Sequence, residues 1–385
     1  MRRTWSESIL PVLITALVLG TSCYDKDLPV TKPDPEMPPP KVPFSPEVRY
    51  TICCGPTSMC SADFNGDGFE DLATANNATD DISILSGNGD GTFGDCTKYS
   101  VGNMPSMIHC SDFDADGIHD LVVANFYSDD ISVLLGNGDG TFDAAVNYGV
   151  NAEPRAVFSE DFNGDMKQDL VVANSGSDNV SILLGNGDGT FTAADSFMVD
   201  DYPTTVLAYD MDSDGDQDLV VANWDGKTIS VLFGNGDGTF ANAIDFETDT
   251  DPYSIHGEDL NKDGNMDLVM VSLFYGSISV FMGSEDGIIS WTGDFYVEGS
   301  PSYVDFGDLD GDGDIDLAVA NWQRMKIYVL LGDGSGRFFP SANYDAGDGS
   351  MTVLCRDFDG DGDVDIVVTN RLSNDISVLL NETVE

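Results

Sequence analysis

The sequence is poor in cations. Among 385 residues there are 16 Lys and Arg against 68 Asp and Glu, a formal net charge of −52 at pH 7. No basic patch can form against that field, so nucleic acid and anionic membrane surfaces are excluded as partners. Histidine is scarcer still, with only His109, His119 and His256. None of them has metal-ligand spacing with a cysteine, which argues against a zinc site, and few imidazole bases remain for an enzyme. No window shows helical periodicity, which argues against helical structure. The apolar run from Ile9 to Leu19 is eleven residues, too short to cross a bilayer as a helix.

What is abundant is aspartate, and it is concentrated in one nine-residue loop. Asp308 to Asp316 reads D-L-D-G-D-G-D-I-D, with carboxylates at positions 1, 3, 5 and 9 and glycine at 6. Hard Ca²⁺ takes about six to eight oxygen ligands at roughly 2.3–2.6 Å, and alternate side chains of a tight loop converge where a glycine permits the left-handed turn. The loop opens like an EF-hand but closes at position 9 and runs into the apolar Leu317-Ala318-Val319-Ala320, so it belongs in a β-hairpin bend.

Copies begin at Asp63, Asp112, Asp161, Asp210, Asp259, Asp308 and Asp357, always 49 residues apart. Such a period means one repeat domain in place of several ordinary ones. The expected ligands are Asp63, Asn65, Asp67 and Asp71; Asp112, Asp114, Asp116 and Asp120; Asp161, Asn163, Asp165 and Asp169; Asp210, Asp212, Asp214 and Asp218; Asp259, Asn261, Asp263 and Asp267; Asp308, Asp310, Asp312 and Asp316; and Asp357, Asp359, Asp361 and Asp365. Three loops supply three Asp plus Asn and four supply four Asp, so 25 carboxylates are clustered, and up to seven Ca²⁺ would bring the formal charge from −52 to −38. Met166 replaces the position-6 glycine, at a cost of about 1–2 kcal/mol for a side chain in a left-handed conformation, so the third loop is expected to be the weakest. Lys262 lies inside the fifth and is expected to lower its affinity slightly.

One repeat reads as four short strands. In the third copy Arg155 to Ser159 leads into the loop, Leu170-Val171-Val172-Ala173 leads out, Val180 to Leu184 follows a polar turn, and G-N-G-D-G precedes Thr190-Phe191. The consecutive apolar residues imply strands covered on both faces, as in radially stacked sheets. Seven such units predict an all-β, seven-bladed β-propeller with four-stranded blades. The seventh copy stops at Leu380-Asn381 without its fourth strand, so Phe44 to Ile52 is expected to supply it and close the ring. The G-N-G-D-G-T segments are hairpin turns rather than phosphate loops, having no helix after them and no P-loop lysine.

The motifs D-F-N-G-D-G-x-x-D-L-x-x-A-N and I-S-V-L-L-G-N-G-D-G-T-F together resemble the FG-GAP/VCBS repeats of the integrin alpha-chain propeller and of many bacterial surface proteins, over Phe44 to Leu380. The resemblance implies Ca²⁺ in the loops and a role in adhesion or ligand binding. It names no ligand.

The chain is expected to divide into a signal peptide (1–22), a proline-rich tether (23–43) and the propeller (44–385). Gly20-Thr21-Ser22 before Cys23 resembles the lipobox of bacterial lipoproteins, with Gly20 departing from its usual leucine; this implies a lipid anchor on Cys23 and an exported, outer-membrane or cell-surface location. An ordinary cleaved signal with Cys23 incidental is the alternative. The membrane is expected to be reached through that anchor alone, and the protein to be a monomer. Cys53, Cys54, Cys60, Cys96, Cys110 and Cys355 allow 15 disulfide connectivities, among which the sequence does not choose.

Alternating strand directions place the acidic loops and glycine turns on one rim and the remaining connections on the other. That second rim varies between copies and gathers Phe126, Tyr127, Trp224, Phe274, Tyr275 and Trp322, which suggests a sugar- or protein-binding face; rings folded down onto blade edges are the bland alternative. The function expected is a calcium-stabilised binding or adhesion module at the cell surface, and not an enzyme. A carbohydrate-active enzyme of polysaccharide lyase type and a passive envelope spacer compete with it, the spacer being favoured if Trp224 and Trp322 are buried.

Overall fold

The computed structural model describes residues 42–52 and 55–382. The described residues form 28 strands in seven four-stranded antiparallel sheets. In the first blade the order from inside outwards is Pro56–Ala62, Asp71–Asn76, Asp81–Leu85 and Thr97–Ser100. Blades two to six repeat it.

The burial of each strand follows from its composition. Every second strand, such as Asp120–Asn125 with the sequence DLVVAN, is buried at all six positions. Apolar residues at consecutive positions fit a sheet covered on both faces, and neighbouring blades supply both covers. Ala73, Ile82 and Ile84 of the first blade pack with Ile108, Leu121 and Val123 of the second. Outer strands such as Thr97–Ser100 are mostly exposed.

Several contacts close the ring among the described residues. Val48–Thr51 pairs antiparallel with Asp375–Leu379, completing the seventh blade from the other end of the propeller. Met59, Leu72 and Leu85 of the first blade share a core with Val367, Ile376 and Val378 of the seventh. On the loop rim, the Gly91 N–H donates to the Phe358 carbonyl at 3.2 Å, the counterpart of Gly140 to Phe64 at 3.0 Å between blades two and one. Gly91 has φ 72°, and a Cβ there would lie 2.5 Å from the Leu380 side chain, so both turn and close approach require glycine. Phe44 makes a single bridge to Asn381, as Phe93, Phe142 and Phe240 do to Gly87, Gly136 and Gly234 in their own blades. The closing segment expected from the sequence is therefore present, with its regular strand confined to Val48–Thr51.

The expected signal peptide, Cys23, Cys53 and Cys54 lie outside the described residues, as does all of the expected tether but Val42 and Pro43. Among the described residues, no helix is long and apolar enough to cross a membrane, and Cys60, Cys110 and Cys355 are free thiols.

The seam makes a direct prediction. Phe44 is 9% exposed and stacks edge-on against Tyr344 at 5.2 Å, whereas Phe69 is 41% exposed. Phe44→Ala is expected to cost about 3–5 kcal/mol in urea unfolding, and Phe69→Ala less than about 1 kcal/mol. Equal losses would contradict closure through Phe44.

Candidate metal centres and the variable rim

Each acidic loop is built around two carboxylates with different partners. The first accepts backbone N–H groups from within the loop: Asp63 takes Gly66 at 2.7 Å and Gly68 at 2.8 Å, and Asp357 takes Gly360 at 2.7 Å and Gly362 at 3.0 Å. These bonds curl the chain and turn the side chains of positions 1, 3 and 5 inward. The ninth ties the loop to its blade. Asp71 accepts from Phe64 N at 3.0 Å and from Gly87 N at 2.8 Å, and Asp316 from Leu309 N at 2.9 Å and Gly332 N at 2.8 Å. In the seventh blade the second donor is Asn381 N at 2.7 Å, at the ring closure.

That ninth carboxylate is buried in every loop. Burial is the main cause that pushes its pKa up from 3.8, with neighbouring Asp side chains adding to it and the two N–H bonds opposing it. The result is about 6 for Asp71, Asp120, Asp169, Asp218 and Asp267, and about 7 for Asp316 and Asp365. Burial, then the Asp at position 5, also raises Asp114, Asp212 and Asp310.

The donor set fits a hard divalent cation. Asp112, Asp114 and Asp120 each bring one carboxylate oxygen into a group spanning at most 4.8 Å, and so do Asp210, Asp212 and Asp218, Asp308, Asp310 and Asp316, and Asp357, Asp359 and Asp361. The Oδ1 atom of Asp212 is buried with no hydrogen-bond partner, an orphan acceptor that a cation would satisfy. These are the four loops with Asp at position 3. Where Asn stands there, its amide donates to a neighbouring carboxylate: Asn163 to Asp169 at 3.1 Å, Asn261 to Asp263 at 2.9 Å and Asn65 to Asp71 at 3.4 Å.

Two expectations about individual loops change. Position 6 is left-handed throughout, and Met166 adopts φ 62° there, but position 4 is left-handed as well. Glycine occupies it in the first, third, sixth and seventh loops, whereas Ala115, Ser213 and Lys262 stand there with φ near 60°. The second to fifth loops therefore each carry one strained residue, and Met166 does not single out the third. Lys262 also does not load its own loop. Its Nζ donates to Gly313 O at 2.7 Å and Asp314 Oδ1 at 2.9 Å, tying the fifth loop to the sixth.

The rim aromatics divide by exposure. Tyr127 is 59% exposed, Phe274 49% and Tyr275 39%, while Trp322 is half-buried and Phe126 and Trp224 are buried. The exposed part of the expected face is thus narrower than its six residues: the ring of Phe126 lies under Tyr127 at 5.2 Å, and that of Trp224 under Phe274 at 5.6 Å. His109 and His256 sit on inner strands, where burial pushes their pKa values down to about 4 and about 3 and keeps them neutral at pH 7. The sequence reading missed the inner-strand carboxylates Glu160, Glu258 and Asp305. Glu160 and Glu258 share one repeat position, while Asp305 occupies the His109 and His256 position, a periodicity that the loop aspartates mask.

Backbone strain can be tested alone. A Cβ on Gly68 would meet no atom within 4 Å, so Gly68→Ala is expected to cost about 1–2 kcal/mol from conformation only. Met166→Gly and Ser213→Gly are each expected to gain about 0.5–1 kcal/mol in thermal melts with chelator present. Destabilisation by Met166→Gly would contradict the left-handed assignment.

Known proteins bear on this architecture in two ways. An FG-GAP-like repeat model matches residues 161–221, 210–270, 259–319 and 308–368, and an FG-GAP repeat model matches 55–93. No curated protein matches the sequence. Among solved structures, BBS1N in complex with ARL6DN aligns with TM-score 0.61 at 13% identity, over 87% of this chain and 95% of that one. A putative 6-phosphogluconolactonase from Bacteroides fragilis aligns with TM-score 0.61 at 16% identity, over 77% and 86%. An Agrocybe aegerita lectin that recognises non-reducing terminal N-acetylglucosamine aligns with TM-score 0.54 at 20% identity, over 76% and 80%. At these identities the likeness concerns the fold alone. With matches spaced by the 49-residue repeat and spanning residues 161–368, more than half of the sequence, the chain belongs to the FG-GAP repeat family.

Proposed function

We propose that this propeller is a binding module displayed at the cell surface, braced by Ca²⁺ on one rim and recognising a protein or glycan ligand with the other. The observation that carries the reading is the contrast between the rims. One repeats the same acidic loop seven times, while the other exposes Tyr127, Phe274 and Tyr275 at positions that differ from blade to blade. Exposed aromatics on a variable face are the usual material of contact surfaces. Display would follow from export and an anchor on Cys23.

Adhesion is the form of binding we favour. A catalytic role has less support, because His109 is half-buried, His256 is buried and both are neutral at pH 7. Trp224 alone of the two tryptophans is buried, which gives the passive spacer only part of its condition. A glycan and protein array read beside a reducing-end assay separates these possibilities. Retention without turnover, weakened at least tenfold by Tyr127→Ala or Phe274→Ala, is expected; release of reducing ends would support an enzyme, and no retention of any ligand would support the spacer.

In the bracing role, positions 1, 3, 5 and 9 of each loop would hold the ion, which supplies positive charge to the clustered carboxylates. Its effect depends on pH with a definite sign. A carboxyl whose folded pKa stands above its unfolded value stabilises the fold when protonated, below about pH 4, and loses that contribution as pH rises through 6 to 7. Metal-free protein is therefore most strained above pH 7. The gain in Tm on replacing chelator with millimolar Ca²⁺ is expected to be larger at pH 7.5 than at pH 5, and an equal gain at both would contradict bracing through these carboxylates.

A further inference from the structure

Arginine on the variable rim is out of keeping with so acidic a chain. Of the eleven Lys and Arg among the described residues, eight lie in ion pairs. Of the other three, Arg337 is exposed in a glycine turn on the loop rim, whereas Arg155 and Arg371 are half-buried on the opposite rim. The Arg155 guanidinium lies among three rings, 5.6 Å from Tyr253, 5.8 Å from Tyr202 and 5.9 Å from Trp224, and that of Arg371 lies 5.9 Å from Trp322. These side chains come from blades three to seven on the rim opposite the acidic loops, and Arg155 and Tyr253 lie within electrostatic range of Arg371. Burial, with the nearby charge of Arg155, lowers the pKa of Arg371. Two like charges thus lie near one another, with the Glu153 carboxylate also within electrostatic range of Arg155.

The repeat shows that the fold does not require them. At the Arg155 position, Thr57, Ser106, Thr204 and Ser302 donate a hydroxyl to the next blade's carbonyl, on Pro105 at 3.3 Å, Pro154 at 3.2 Å, Pro252 at 3.3 Å and Ser350 at 2.9 Å. Arg155 and Tyr253 give up that stitch. Trp224, Trp322 and Arg371 share a second repeat position, whose N–H is fixed at 2.9 Å to the carbonyls of Tyr202, Ser300 and Gly349. Equivalent backbone sites therefore carry an indole in two blades and a guanidinium in a third.

A guanidinium offers planar paired donors that match a carboxylate, and the half-buried rings of Tyr202, Tyr253 and Trp322 offer faces to an apolar or C–H surface. Resting on the rim-binding reading, we propose that this part of the rim is a subsite for a glycan end bearing one carboxylate, a terminal uronic acid, its carboxylate on Arg155 and Arg371 and its pyranose face on the aromatic wall. A single charge is specified because the −52 field repels a long polyanion beyond the local arginines.

The protein in Ca²⁺-containing buffer, titrated with methyl glucuronoside and methyl glucoside and followed by tryptophan fluorescence and calorimetry, tests this. The glucuronoside is expected to bind at least tenfold more tightly than the glucoside. Arg155→Gln and Arg371→Gln should each weaken it at least tenfold with Tm unchanged, and Arg337→Gln should leave it unaltered. Equal affinity for the two glycosides, or indifference to both arginine substitutions, overturns the uronate assignment while leaving the rim as a binding face. So does failure of the glucuronoside beside binding of a peptide through its free C-terminal carboxylate. If the arrays retain no ligand at all, the rim reading falls with it.

Discussion

The structure depends on one buried carboxylate in each blade. The ninth loop residue, Asp71 and its six equivalents, accepts one N–H from its own loop and another from sixteen residues further on. Those two bonds join the bend between the first two strands to the turn before the fourth, and in the last blade they reach Asn381 at the ring closure. An acceptor of two N–H groups works best when ionised, yet burial and the Asp side chains of the same loop oppose ionisation. Nearby positive charge would resolve the conflict, and the inward oxygens of positions 1 and 3 would give a divalent cation somewhere to sit.

This constraint divides the molecule. On the loop rim the same problem arises seven times and has nearly the same solution, so the residues there have little freedom. On the other rim the backbone of each turn is held by its own hydrogen bonds, such as Trp224 N to Tyr202 O and Arg371 N to Gly349 O. Side chains at those positions differ without disturbing the blade. Variation is tolerated where the scaffold does not use the side chain, and there a binding face costs the fold least.

Much of the architecture was legible in the sequence because an exact period turns one local pattern into seven. Two-sided burial of DLVVAN, the hairpin turns and the Phe44 closure all follow from patterns within a repeat or from a missing one. What stayed hidden has a physical reason in each case. The second left-handed loop position is masked because Ala115, Ser213 and Lys262 stand among its glycines. Burial of Phe126 and Trp224 depends on the neighbours Tyr127 and Phe274, whose ring directions a pattern does not encode. Arg155 and Arg371 are far apart in the chain, and only the folded ring brings one within electrostatic range of the other.

The account turns on metal in the acidic loops, and counting bound ions tests that most directly. Equilibrium dialysis of the intact protein against millimolar Ca²⁺ at pH 7.5 should find at least the four ions expected of the all-Asp loops, and at most seven. Protein that emerges folded and metal-free would contradict it.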